Sequence, residues 1–179
     1  MRALDGGDEA TLATLLPMLS LTARANLGNP RVSHWQTNRP GALGCYASHL
    51  QALKWASAQN GPSIIMEEDM EWTRPDFADT LKRLEKLLSS GTLDMISFGY
   101  SGSPASKFPA GLVVRCVTPI RGTIGYAVSP KGARKLYNAL SRSMEGHVDC
   151  MIGLVAMTTA QDDEPFRLGS TTVNYYSAP

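Results

Sequence analysis

The run Ser63-Ile64-Ile65-Met66 ends abruptly in three consecutive carboxylates, Glu67, Glu68 and Asp69. An unbroken aliphatic run of this length reads as a strand buried on both faces, the kind found inside α/β sheets. Ligands of such sheets gather at the carboxyl ends of the strands. The three acids would therefore emerge on a loop held by a rigid strand. Adjacent carboxylates repel one another, and a bound cation relieves that repulsion. The stretch reads either as a divalent-metal site of hard oxygen ligands or as a solvated acidic turn.

The rest of the chain supplies the setting for that strand. Its 179 residues are enough for one domain with a core of its own. Hydrophobic residues make up 43% and charged residues 18%, the composition of a soluble globular protein rather than a disordered one. With 17 basic and 16 acidic side chains the formal charge is +1, which gives no electrostatic case for nucleic acid or an anionic membrane as partner. Cys45, Cys116 and Cys150 form no CxxC pair, so neither a zinc module nor a disulfide framework is expected, and a reducing, cytoplasmic compartment is the simplest reading. There is no signal-peptide pattern, and no apolar run reaches the ~20 residues of a membrane span.

In chain order, Met1–Gly7 reads as a loop and Asp8 as the cap of a helix carrying Leu12, Leu15, Leu16 and Leu19, which Pro17 kinks or ends. Asn26–Pro40 reads as loop with a short strand over Val32–Trp35, followed by a helix over Tyr46–Ala58. Asn60-Gly61-Pro62 is a break before the aliphatic strand. Pro75-Asp76 opens a helix whose Phe77, Leu81, Leu84 and Leu88 share one face, with Gly91 just past its end. Asp94–Phe98, Leu112–Val117 and Ile124–Val128 read as strands, and Gly99–Gly111 as a long loop fit to cover a site. Ser129-Pro130 starts a helix carrying Ala133, Leu136 and Leu140. Asp149–Met157 is apolar, and residues 158–179 read as a polar, loosely structured tail. Alternating strands and helices predict a single α/β domain, residues 1–179, with a mostly parallel sheet flanked by helices.

Four local patterns stand in register along this frame: Gly44-Cys45-Tyr46-Ala47-Ser48-His49, Ile65-Met66-Glu67-Glu68-Asp69, Gly122-Thr123-Ile124-Gly125-Tyr126 running on to Gly132-Ala133, and His147-Val148-Asp149. In this order and spacing the chain resembles glycosyltransferase family 25, which includes lipooligosaccharide and collagen galactosyltransferases. The likeness spans roughly Arg2–Leu154. It implies a GT-A type, Rossmann-like fold and a metal-dependent, inverting transfer of galactose or glucose from a UDP-sugar to a glycan or hydroxylated protein acceptor.

The same likeness assigns roles. Asp69 and Glu67 would hold Mn²⁺ or Mg²⁺, which suit oxygen ligands and offset the charge of a departing diphosphate. Glu68 stands where the family has aspartate and is a candidate for substrate binding. Ser48 and His49, expected in the first turn of their helix, would help bind the donor, where exposed amides favour phosphate; the structural alternative is a locally capping serine and a satisfied core histidine. Gly44, Gly122, Thr123 and His147 are further candidates for substrate binding, the glycines by allowing close backbone approach. Asp149 would be the general base that takes the acceptor hydroxyl proton; its structural alternative is a helix N-cap. Tyr126, Phe98 and Tyr100 either stack on a sugar ring or pack in the core. The aliphatic strand with which family members begin is not found ahead of Arg2. An open sheet edge and self-association into a homo-oligomer are therefore expected. The rival reading is a catalytically inactive glycosyltransferase-like binding or assembly module; a metal-dependent hydrolase built on the acidic loop ranks below both.

Overall fold

A computed structural model describes residues 3–30, 33, 35–68, 77–98, 104–107, 113–116, 125–159 and 162–171. Helix α1 spans Glu9–Leu15, capped by Asp8, whose carboxylate accepts from the Thr11 amide at 2.8 Å. Pro17 ends it in a 3-10 turn, Leu16–Met18, as a proline inside an apolar helical pattern should. Helix α2, Leu21–Asn26, follows, and α3 runs from Pro40 to Ala56. Strand β1 is Ser63–Met66 and helix α4 is Phe77–Ser89, with Gly91 beyond it at φ +73°. Then come β2 (Met95–Ser97), β3 (Pro104–Lys107), β4 (Val113–Cys116) and β5 (Gly125–Val128). Helices α5 (Pro130–Leu140) and α6 (Val148–Thr158) precede β6 (Leu168–Thr171).

The six described strands form one sheet in the order β1-β5-β2-β6-β4-β3. Only β2 and β6 pair in parallel; β1–β5, β2–β5, β4–β6 and β3–β4 are antiparallel. The expectation of an α/β domain holds, but the expectation of a mostly parallel sheet does not. β1, β2, β3 and β6 do share one direction, yet β5 and β4 are interleaved among them and run the other way. An apolar run signals burial on both faces and carries no information about strand direction. Two further expectations are corrected. The predicted loop Gly99–Gly111 contains β3, which pairs with β4. The predicted loose tail contains β6, which lies inside the sheet between β2 and β4. The expected strand over Val32–Trp35 and the expected cap Asp76 fall wholly or partly outside the described residues.

Alternation along the strands sends side chains to two layers. On one face Ile65, Tyr126, Val128, Met95 and Leu168 join Leu43, Leu50 and Leu53 of α3, Leu136 and Leu140 of α5, and Ile152 of α6 in the larger core. On the other face Ile96, Phe98 and Ala127 pack against Leu84 and Leu88 of α4. Each leucine buried this fully contributes about 1.5–3 kcal/mol relative to an exposed one. α5 is drawn tightly onto the sheet. A Cβ on Gly132 would collide with the Asp94 carbonyl, and Asp94 ties the same corner by accepting from Lys135 Nζ at 3.2 Å and from the Arg167 amide at 2.8 Å. Among the described residues no helix is long and apolar enough to cross a membrane.

Candidate functional site

Helix α3 presents two different faces to two different neighbours, because residues four apart lie one above the other. Gly44 and Ser48 meet the N-terminal segment. A Cβ on Gly44 would run into the Gly6 amide and the Leu4 carbonyl, and one on Gly6 would run into the Pro40 carbonyl. The Ser48 hydroxyl accepts from the Leu4 amide at 2.8 Å and donates to the Gly44 carbonyl at 2.8 Å. These two residues therefore strap residues 4–6 to the helix. They are not placed for a donor substrate by any described contact.

Cys45 and His49, one residue further on in each case, share another face and look toward the end of β1. α3 begins at Pro40 rather than near Tyr46, so Ser48 and His49 sit in mid-helix, not in the first turn. Their backbone amides are used within the helix, and the expected phosphate site at a helix N-terminus does not form around them. His49 is instead buried, with its ring stacked on Tyr126 at a centroid separation of 5.6 Å and 21° between planes. Its Nδ1 lies 3.0 Å from the Tyr126 hydroxyl and its Nε2 lies 3.4 Å from Glu67 Oε1.

Glu67 directly follows β1 at the strand's carboxyl end, where the sequence places it, and keeps 36% of its side chain exposed. Cys45 Sγ, a His49 ring nitrogen and a Glu67 carboxylate oxygen lie within 4.8 Å of one another. Cys45 is a free thiol, exposed as a residue. Partial burial of its sulfur, then the charges of Glu67 and Asp149, push the thiol up to about 11. Burial also holds the Tyr126 phenol protonated far above its usual range, with Cys45 and Glu67 adding to the shift.

Asp149 belongs to α6. It sits in the first turn, where a carboxylate favours the helix dipole, and accepts from the Cys150 amide at 2.8 Å. The N-cap position is held by His147, not Asp149, and the His147 amide donates to the Trp35 carbonyl at 2.9 Å. Gly146 is a close-approach glycine, since a Cβ there would press on the same carbonyl.

Of the residues singled out by sequence, Glu67 and His49 are thus brought together beside Cys45, Asp149 of α6 acts on that thiol only through its charge, and Gly44 and Ser48 serve packing. His147 enters through its backbone, and Glu68 is exposed. Asp69, Gly122, Thr123 and Tyr100 lie outside the described residues. Tyr126 and Phe98 are fully buried, so of their two readings core packing is the one observed. Cys45 has no role in the sequence reading, because three cysteines without a CxxC pair carry no metal signal of their own. The signal that finds it is Cys-x-x-x-His on a helix, two ligand types on one face. A cavity of about 490 Å³ lined by Asp94, Lys131, Lys135 and Arg167 lies at the opposite end of the sheet, beyond the start of β2, and takes no part in this cluster. No protein-family model matches the chain, and no curated protein matches it.

Proposed function

We propose that this chain is a metal-dependent glycosyltransferase, transferring a hexose from a UDP-sugar to a glycan or protein hydroxyl in the cytoplasm. The observation that carries the reading is the meeting of Glu67, at the carboxyl end of β1, with His49 of α3. An acid at a strand end beside an imidazole is part of what a transfer of this kind needs.

Glu67 offers an oxygen of the type Mn²⁺ and Mg²⁺ take, and Asp69 on the same loop is the second ligand in this proposal. The ion, when bound, neutralises charge on the departing diphosphate. Asp149 takes the proton from the acceptor hydroxyl as that oxygen attacks the anomeric carbon, and the donor is inverted in one displacement. The buried His49–Tyr126 pair fixes the wall against which Glu67 is set.

Adding Mn²⁺ with UDP is expected to raise the Tm, and Asp69→Ala to abolish the rise. No shift with any nucleotide or metal overturns the reading. The alternative, a non-catalytic module on the same scaffold, is favoured by the way Gly44 and Ser48 are spent on holding residues 4–6. Slow hydrolysis of UDP-glucose or UDP-galactose in manganese separates the two, since only the enzyme releases UDP.

A further inference from the structure

The described side chains around Glu67 are not a set of hard oxygen ligands. They are a thiol, an imidazole and one carboxylate, a mixture that suits a borderline ion rather than manganese or magnesium. We propose that Cys45, His49 and Glu67 form a zinc-binding site with an open fourth position, built by the α3–β1 junction; it shares Glu67 with the transferase reading above and would take zinc there in place of manganese.

The spacing fits. Two ligands bonded to zinc at about 2.0–2.1 Å and set at the tetrahedral angle lie about 3.3–3.4 Å apart. His49 Nε2 and Glu67 Oε1 are 3.4 Å apart. That separation is long for a hydrogen bond between an imidazole and a carboxylate, which settles nearer 2.7–2.9 Å when charge-assisted. Cys45 Sγ lies within 4.8 Å of both partners, and it stands four residues before His49 on the same helix. Closing the remaining distance asks for adjustment of the part-buried Cys45 side chain, because His49 is already held.

What holds it is also what a zinc histidine needs. A ligating imidazole is oriented through its other nitrogen. Here Nδ1 meets the Tyr126 hydroxyl at 3.0 Å, and the two rings stack within the core. A phenol both donates and accepts, so it serves either imidazole tautomer and leaves Nε2 able to present its lone pair. The cluster is also open on one side: Cys45 is exposed and Glu67 is partly so. Three protein ligands with room for solvent is the arrangement of reactive rather than purely structural zinc sites.

The test uses the full chain, with Zn²⁺ or Co²⁺ alone and no nucleotide. One equivalent of Zn²⁺ is expected to bind by calorimetry. Co²⁺ in its place should give the near-ultraviolet thiolate charge-transfer band and the visible bands of a tetrahedral centre. Cys45→Ser should remove the thiolate band and weaken Zn²⁺ at least tenfold, while Cys116→Ser and Cys150→Ala retain the band. Because Cys45→Ser is nearly isosteric and the residue as a whole is exposed, the metal-free Tm of Cys45→Ser should stay close to that of the parent chain. Tyr126→Phe should weaken Zn²⁺ by about 10–100-fold, as loss of an orienting partner does. A cobalt complex without a thiolate band, a band that survives Cys45→Ser, or displacement of Zn²⁺ by equimolar Mn²⁺ overturns the site. A Tm shift with Mn²⁺ and UDP but no Zn²⁺ binding removes the zinc site and leaves the transferase reading standing; the reverse result removes only the transferase.

Discussion

Gly44 and Cys45 are neighbours in sequence with opposed surroundings, and each can be tested alone. A methyl group on Gly44 meets backbone of Leu4 and Gly6, which has no rotamer to give way. Overpacking of that kind costs about 1–3 kcal/mol, which exceeds the ~1 kcal/mol that alanine gains over glycine inside a helix. Gly44→Ala is therefore expected to lower the urea midpoint, whereas Gly41→Ala, with nothing within 4 Å of its Cβ, is expected to hold or raise it. Equal effects at the two positions would rule out the strapping role. The sequence pointed to Gly44, Ser48 and His49 as a group, but a motif does not say which way each side chain faces. Helical spacing of four separates 44 and 48 from 45 and 49, and that separation exists only because the helix runs back to Pro40. The glycines at 41 and 44 hid the true start, because glycine is a poor interior helix residue unless something packs against it.

Among the elements, those with their own local chemistry were legible and those held by neighbours were not. Asp8 and Ser129 cap α1 and α5 as read, Ser129 accepting from the Gly132 amide at 3.0 Å. The period of Leu81, Leu84 and Leu88 gave α4, and Leu84 and Leu88 are buried. By contrast β6, Leu168-Gly169-Ser170-Thr171, has one apolar residue, and it is a strand because β2 and β4 flank it with unpaired backbone. β3 begins with Pro104 and is polar, a composition that reads as loop and is tolerated because the strand is the last described on its side of the sheet. The cap at Asp8 has a pH signature. The Thr11 amide holds its carboxyl below the usual 3.8, so the folded state binds that proton more weakly than the unfolded chain. The cap's contribution is complete above the unfolded value and is lost as pH falls through the folded one. The Tm gap between the parent and Asp8→Ala should be full at about pH 6 and shrink as the solution is taken below 3.8. A gap that does not change with acid would show that Asp8 is not capping as a carboxylate.

For the molecule as a whole, the two sides of the sheet are finished differently. β3 carries Pro104 and Lys107, residues that discourage further pairing. β1 pairs with β5 on one side alone among the described residues, and Ile64 and Met66 remain 41% and 45% exposed on it. Such a strand invites a second copy, and light scattering is expected to detect a dimer that Met66→Lys returns to monomer. A parent chain that is monomeric at every concentration would dismiss that pairing. The position of β6 has a consequence for synthesis. Chain emerging from a ribosome delivers β1 to β5 first, yet β2 and β4 cannot be joined until residues 168–171 arrive to lie between them. Until then the nascent polypeptide carries two half-sheets with raw facing margins. Its vulnerable interval is set by the late arrival of one short strand, and holding factors would have most to do in that interval.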